Sequence, residues 1–209
     1  YDASDAVING FPFFHVGGTM TVGLSVLAAG GHMIVPSPYA LRPPEVVRNY
    51  WKLVEHFRAT VIGGVPTSIA ALTAQYRPGI DVSSVRMAGT GGAVCPAAVN
   101  ARFTEVTGIR LFETYGMTET ITHVAVKQLN VSLDCRPEQN EGPIDKAFTV
   151  LPGTAISQDP RGCLVIDAPK ISDEPVVTND LVELISETEF QWLGRYDSII
   201  NSGGVKLIP

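Results

Sequence analysis

The segment Thr114-Tyr115-Gly116-Met117-Thr118-Glu119-Thr120 gathers, within seven residues, the groups needed to handle a nucleotide. It follows a strand-like run, Ile109–Glu113, and in α/β sheets ligands collect beyond the carboxyl ends of strands. Tyr115 offers an aromatic face for a base, and Gly116 allows close backbone approach. Thr118 brings a hydroxyl for a phosphate oxygen, and Glu119 a carboxylate for Mg²⁺. Taken alone, the same residues also suit a strand-to-loop turn with a packed Tyr and an exposed Glu.

Three further segments carry chemistry of a compatible kind. Phe13-Phe14-His15-Val16-Gly17-Gly18 sets a histidine among aromatics beside a glycine pair. That suits the wall of an apolar acid-binding channel, or equally a hydrogen-bonded core histidine. Met87-Ala88-Gly89-Thr90-Gly91-Gly92-Ala93 lets a flat ligand approach the backbone. It matches a dinucleotide GxGxxG only loosely, because Val94 stands where the third glycine belongs. The third segment is Thr178-Asn179-Asp180-Leu181, followed by Gly194-Arg195-Tyr196-Asp197 and then Asn201-Ser202-Gly203-Gly204-Val205-Lys206. An Asp at the mouth of a strand binds a ribose diol, and an Arg further on reaches the same sugar or a phosphate. Each of these stretches also reads as an ordinary turn.

The elements that must position these groups alternate through the first part of the chain. Strands are expected at Ala6–Phe14, His32–Val35, Thr60–Ile62, Val85–Ala88 and Ile109–Thr114, with helices at Thr19–Ala29, Pro44–Phe57, Thr67–Gln75 and Pro96–Val106. Val46, Val47, Tyr50, Trp51, Val54 and Phe57 fall at helical spacing behind Pro44. Such alternation indicates βαβ units around a mostly parallel sheet. After Thr120 the pattern becomes β-rich, with strands at Ile121–Val126, Phe148–Leu151, Cys163–Ile166, Leu181–Ile185 and Phe190–Leu193, as in a meander or small barrel. Asn130–Asp145 is polar and charged, and reads as a loop. The division expected is 1–120 α/β, 121–193 β-rich, and 194–209 a hinge leading into a further domain.

Composition excludes several classes. A net charge of -6 without a long basic run argues against nucleic acid as a partner. Cys95, Cys135 and Cys163 lie far apart without CxxC spacing, so neither a disulfide framework nor a zinc site is expected, and a cytoplasmic location is. Val16–Val35 is apolar but holds five glycines and His32, which suits a small-residue helix and a buried strand rather than a membrane span.

Taken in order, Phe14-His15, Gly91-Gly92-Ala93, Tyr115-Gly116-Met117-Thr118-Glu119, Asp180 and Gly194-Arg195 resemble the adenylate-forming superfamily of acyl-CoA synthetases, luciferases and peptide-synthetase adenylation domains. The resemblance covers nearly the whole chain. It implies part of the large N-terminal domain of an AMP-forming acid–CoA ligase that uses ATP, Mg²⁺, CoA and a small carboxylic acid. By that resemblance Tyr115 stacks on adenine, and Gly91, Gly92 and Ala93 contact adenine and the acyl group. Gly116 belongs to the nucleotide-binding segment, Thr118 binds the α-phosphate, and Glu119 holds Mg²⁺. Asp180 holds the ribose, with Arg195 nearby, and His15 stands between the ATP and acid sites. Asp197 matches the hinge about which a small C-terminal domain rotates, and Gly203-Gly204-Val205-Lys206 would begin that domain.

From about residue 115 onward the chain resembles o-succinylbenzoate–CoA ligases of menaquinone synthesis, notably in Thr120–Ala125, Leu164–Pro169, Thr178–Asp180 and Ile200–Lys206. In that reading His123 lies near the aromatic acid; otherwise it is simply one face of an alternating strand. Residues 1 to about 114 look more like general fatty- or aryl-acid–CoA ligases. The chain looks cut at both ends. The superfamily's Ser/Thr/Gly-rich phosphate loop, expected upstream of His15, and the catalytic lysine of the small domain are not in it, and Lys206 does not replace the latter. An enzyme that loads a carrier protein, or a non-catalytic nucleotide-binding piece, remains the alternative.

Overall fold

Helical periodicity and strand-end glycines translate directly into the first half of the structure. The computed structural model describes residues 1–121, 123–129 and 147–198, and the backbone of 200–202 and 205–207. The chain divides into two compact units, the described parts of Tyr1–His123 with Gln128–Asp145, and of Val124–Lys127 with Lys146–Pro209.

The first unit holds β1 (Ala6–Ile8), a π-helix at Gly17–Leu24 continued by α1 (Ser25–Ala28), β2 (His32–Ile34), α2 (Pro44–Phe57), β3 (Val61–Gly64), α3 (Pro66–Gln75), β4 (Met87–Gly91), α4 (Ala97–Thr107) and β5 (Leu111–Gly116). All five strands run parallel, in the spatial order β2-β1-β3-β4-β5. The expected α/β alternation is therefore present. The chain leaves β1 through the π-helix and α1, which pack Val22 and Val26 against Val7 and Val61 on one face of the sheet. It leaves β2, β3 and β4 through α2, α3 and α4, whose side chains cluster with Ile8, Ile34, Ile62, Ala88 and Leu111. These strand residues alternate with Val7 and Val61, so they occupy the opposite face. In α2, Pro44 supplies a preset first turn and Val46, Tyr50, Trp51 and Val54 make the buried stripe. Trp51 donates from Nε1 to the Leu72 carbonyl at 2.7 Å, which joins α2 to α3.

The long first strand expected at Ala6–Phe14 stops at Ile8. Asn9 is buried, accepts from the Phe11 amide through Oδ1 and donates through Nδ2 to the Gly18 carbonyl. That side chain turns the backbone out of the sheet, as Asx residues do, and anchors the start of the π-helix. Strands β3, β4 and β5 run past their expected ends at Ile62, Ala88 and Thr114, to Gly64, Gly91 and Gly116, whereas α2 keeps its expected bounds and the helix expected at Thr19–Ala29 begins earlier, at Gly17.

The second unit is antiparallel. It contains β6 (His123–Gln128, of which Val124–Lys127 belong here), β7 (Phe148–Val150), β8 (Ala155–Gln158), β9 (Cys163–Asp167), β10 (Val176–Ser186) and β11 (Glu189–Arg195). Their order, β6-β7-β11-β10-β9-β8, includes a β8-to-β11 meander. A short hairpin of β12 (Ile200–Ser202) and β13 (Val205–Leu207) follows. Strand β8 has no counterpart among the sequence expectations, because its side chains are mostly exposed and give no hydrophobic alternation. Thr178–Asp180, which read as a turn, lies inside β10, where pairing with β9 shifts register between Val177 and Leu181. The loop expected at Asn130–Asp145, with Cys135, lies outside the described residues, as do Gly203 and Gly204.

The amino ends of the parallel strands meet at Asp5. Its buried carboxylate accepts from Arg86 Nε at 2.8 Å and from Arg86 Nη2, from Thr60 Oγ1 at 2.7 Å, and from the Asp2 amide. The Arg86 guanidinium holds the Asp5 carboxyl well below the usual carboxylate range. A depressed folded-state value stabilises the fold above the ordinary carboxylate pKa of about 3.9, and that stabilisation fades as pH falls through it. Arg86→Met is expected to destabilise the fold by about 2–3 kcal/mol near neutral pH, because it strands a buried charge. In denaturant titrations the difference from wild type should shrink below about pH 4. An unchanged midpoint at neutral pH would refute the clamp.

Candidate active site

In a parallel sheet ordered 2-1-3-4-5, the loops after β1 and β3 depart to opposite faces and leave a crevice at the carboxyl edge. Here that crevice is a cavity of about 660 Å³, within the range of small-molecule sites. Every parallel strand contributes to it from beyond, or at, its carboxyl end: 10–12 and 14–17 after β1, 39–42 after β2, Val65 and Ser68 after β3, Gly91 and Gly92 at the end of β4, and Thr114, Gly116 and 117–119 at and just past the end of β5. Seven of the sequence candidates line it together, namely His15, Gly91, Gly92, Gly116, Thr118, Glu119 and His123. Tyr115 and Ala93 are their chain neighbours but do not line this cavity.

Local geometry explains each placement. Gly91 lies so close to β5 that a Cβ there would run into Thr114 Oγ1, and Gly92 adopts φ +78°. Both positions therefore require glycine, one for space and one for conformation. Thr114 Oγ1 donates to the Thr90 carbonyl at 3.1 Å, pinning the ends of β4 and β5 together. After β5 the chain makes a single 3₁₀ turn, Thr118–Thr120. Thr120 Oγ1 accepts from the Met117 amide and donates to the Met117 carbonyl, both at 3.1 Å, which leaves Thr118 and Glu119 exposed at the tip. Ile121 then takes φ +62°, a strained backbone for a β-branched residue. Strain of that kind costs about 1–3 kcal/mol and gathers at functional sites.

His15 accepts from the Gly17 amide through Nδ1 at 3.0 Å, so its neutral ring carries the proton on Nε2. Glu119 makes no ion pair or hydrogen bond among the described residues. No group of three or more His, Cys, Asp or Glu side chains converges among those residues. A single carboxylate still suits Mg²⁺, which keeps several waters and takes substrate phosphates as ligands. Arg42, Tyr39 and Ser68 are polar lining residues absent from the sequence candidates. Their signal was positional, just past β2 and β3. The Arg42 guanidinium lies 5.5 Å from the Phe14 ring centroid.

The remaining candidates belong to the second unit. Asp180 and Arg195 are cross-strand partners on β10 and β11, with Oδ1 and Nη1 3.5 Å apart. Asp197 grips the other side of that guanidinium through Nε at 3.1 Å and Nη2 at 3.2 Å. This pairing raises the Arg195 pKa and lowers that of Asp197. Arg161 bonds Asn179 Oδ1 and the Thr178 carbonyl, bracing the strand just before Asp180.

With this geometry described, comparison with known proteins gives the class. The model of the AMP-binding enzyme family matches residues 1–161, and the chain belongs to that family. A marinolic acid–CoA ligase from Pseudoalteromonas sp. (strain SANK 73390) is 32% identical over 109 residues, covering 52% of this chain and 17% of the relative. A long-chain-fatty-acid–CoA ligase from Bacillus subtilis (strain 168) is 25% identical, covering 100% of this chain and 39% of the relative. The chain thus spans well under half the length of either curated relative. Among solved structures, an acyl-CoA synthetase (AMP-forming)/AMP-acid ligase II-like protein from Dyadobacter fermentans DSM 18053 superposes with a TM-score of 0.67 at 26% identity. That match covers 99% of this chain and 53% of that one. The o-succinylbenzoate coenzyme A synthetase of Bacillus subtilis, in complex with ATP and magnesium ion, shares the fold, with a TM-score of 0.75 at 20% identity. It covers 98% of this chain and 44% of that one.

Burial lowers the His123 pKa below the ordinary histidine value. The unfolded chain then binds more protons than the folded one below about pH 6.5, so stability rises with pH across that window. An NMR titration should place His123 below about 6.5, and His123→Gln should flatten the pH dependence of unfolding there. A midpoint at or above that value would contradict the burial.

Proposed function

We propose that this chain supplies the adenylate-binding part of an AMP-forming acid–CoA ligase. The observation that carries the reading is the convergence of His15, Gly91, Gly92, Thr118 and Glu119 on one crevice at the carboxyl edge of a parallel sheet. In the reaction, a substrate carboxylate attacks the α-phosphate of ATP to give an acyl-adenylate and pyrophosphate, and CoA thiol then displaces AMP. Little covalent work falls to the protein, so positioning and charge neutralisation dominate.

Thr118 donates its hydroxyl to an α-phosphate oxygen, and Glu119 presents its carboxylate to Mg²⁺. When bound, Mg²⁺ supplies neutralisation of the polyphosphate charge. Gly91, Gly92 and Ala93 bring backbone against adenine and the acyl group, Tyr115 stacks on the base, and Gly116 allows the nucleotide close to the backbone. His15 forms the wall between nucleotide and acid. Asp180 binds the ribose hydroxyls, and Arg195 steadies it. Asp197, which holds Arg195 through a two-point ion pair, is the hinge residue. Support comes from the family membership and from curated relatives that are CoA ligases.

The finer proposal for the acid is o-succinylbenzoate, with His123 beside its ring; it rests on the sequence resemblance from about residue 115 onward. In an AMP-release screen of the complete enzyme across o-succinylbenzoate, aryl acids and fatty acids, turnover of aliphatic acids alone would overturn it. For the nucleotide roles, Glu119→Ala in the complete enzyme is expected to slow ATP–pyrophosphate exchange at least ~10²-fold. Exchange at the wild-type rate would remove Glu119 from the mechanism.

A further inference from the structure

The strand that carries Asp180 breaks its ladder just before that residue. Val177 pairs with Val165 and Leu181 with Cys163, so Thr178, Asn179 and Asp180 on β10 stand opposite Leu164 alone on β9. Extra residues in a bulge lose their ladder partners, and the strand bends there. Asp180 is buried, and a packed side chain has little freedom to swing toward a ligand. The backbone of the bulge therefore sets the direction of its carboxylate.

Arg161 supplies what the ladder does not. It stands on the turn between β8 and β9, where Asp159 Oδ1 accepts from the amides of Arg161 at 2.8 Å and Cys163 at 3.0 Å, and Gly162 takes φ +84°. From that turn Nε donates to Asp159 Oδ2 at 2.7 Å, Nη1 to Asn179 Oδ1 at 2.9 Å and Nη2 to the Thr178 carbonyl at 3.0 Å. Thr178 Oγ1 in turn accepts from the Asp180 amide at 3.0 Å. The guanidinium also lies 5.1 Å from the ring centroid of Tyr196, the chain neighbour of Arg195. Three nitrogens of one planar fork meet three acceptors, a geometry that lysine does not reproduce.

We propose that Arg161 is a positioning residue for the nucleotide: it replaces the missing ladder at the bulge and so aims Asp180 at the ribose hydroxyls. The proposal rests on the adenylate reading of Asp180. Arg161 spends its fork on protein acceptors, so its loss is felt by the nucleotide only where Asp180 acts.

The test compares ATP with 2′,3′-dideoxy-ATP in pyrophosphate exchange by the complete enzyme. Hydrogen bonds to the Asp180 carboxylate should make wild type favour ATP at least ~10-fold in kcat/KM. Arg161→Met should cut that preference to about threefold or less by raising KM for ATP, with kcat and turnover of the dideoxy nucleotide held within about twofold. Arg161→Lys should fall between. Asn179→Ala, which removes one exposed contact and leaves the turn intact, should lower the preference roughly threefold. On an Asp180→Asn background, Arg161→Met should change the preference no further. Equal losses for both nucleotides in Arg161→Met and Asn179→Ala, or an unchanged preference, would overturn the proposal. If wild type turns over both nucleotides alike, the ribose role of Asp180 falls by itself. Hydrogen exchange across 176–182 of this chain then decides the brace: exchange at least ~10-fold faster in Arg161→Met sustains it, and an unchanged rate ends it.

Discussion

A single buried carboxylate sets the frame from which the rest of the first unit follows. Asp5 reaches Thr60 at the start of β3 and Arg86 at the start of β4, while its own backbone carbonyl accepts from His32 at the start of β2. Four neighbouring parallel strands are thereby aligned at their amino ends. In a parallel sheet, alignment at one edge dictates what emerges at the other. The loops after β1, β3 and β4 consequently open side by side, and the 660 Å³ crevice lies among them. The carboxylate is costly to bury alone, which explains why it takes an arginine and a hydroxyl at once.

At the carboxyl edge the constraint is space rather than charge. A side chain at Gly10 would strike the Gly63 carbonyl, and one at Gly91 would strike Thr114. These contacts bring strand ends close enough for backbone to form the walls, and they keep those walls free of side chains. The polar groups that remain, His15, Thr118 and Glu119, stand on turns braced by Gly17 and Thr120. Such bracing favours chemistry by position, in which little reorganisation is needed when a charged ligand arrives. The second unit solves a different problem with the same economy. Arg195 lies between Asp180 on one side and Asp197 on the other, so a change at Asp197 would be felt by Asp180.

Much of this was legible from residues alone, and the failures have physical causes. Helices α2, α3 and α4 announce themselves by spacing and by Pro44, Pro66 and Pro96 at their starts. The Tyr115–Glu119 and Gly91–Gly92 segments were visible because glycine and hydroxyl residues follow apolar runs. The end of β1 was not, because Asn9 acts through its side chain on a residue nine positions away. Strand β8 was invisible because exposure removes the alternation that marks strands. Asp180 read as a turn residue, since a bulge and a turn use similar residues. Arg42, in the loop after β2, and Ser68, in the first turn of α3, reach the crevice through tertiary folding, and only their position just past strand ends signals it.

Whether the crevice at the carboxyl ends of β1, β3, β4 and β5 holds an adenylate is tested most directly by a crystal structure of this chain with ATP and Mg²⁺. The expected result places adenine against the backbone of Gly91 and Gly92, an α-phosphate oxygen within hydrogen-bond reach of Thr118 Oγ1, and the metal beside Glu119. Nucleotide bound elsewhere on the chain, or lying in the crevice with its phosphates turned away from Thr118 and Glu119, would contradict it.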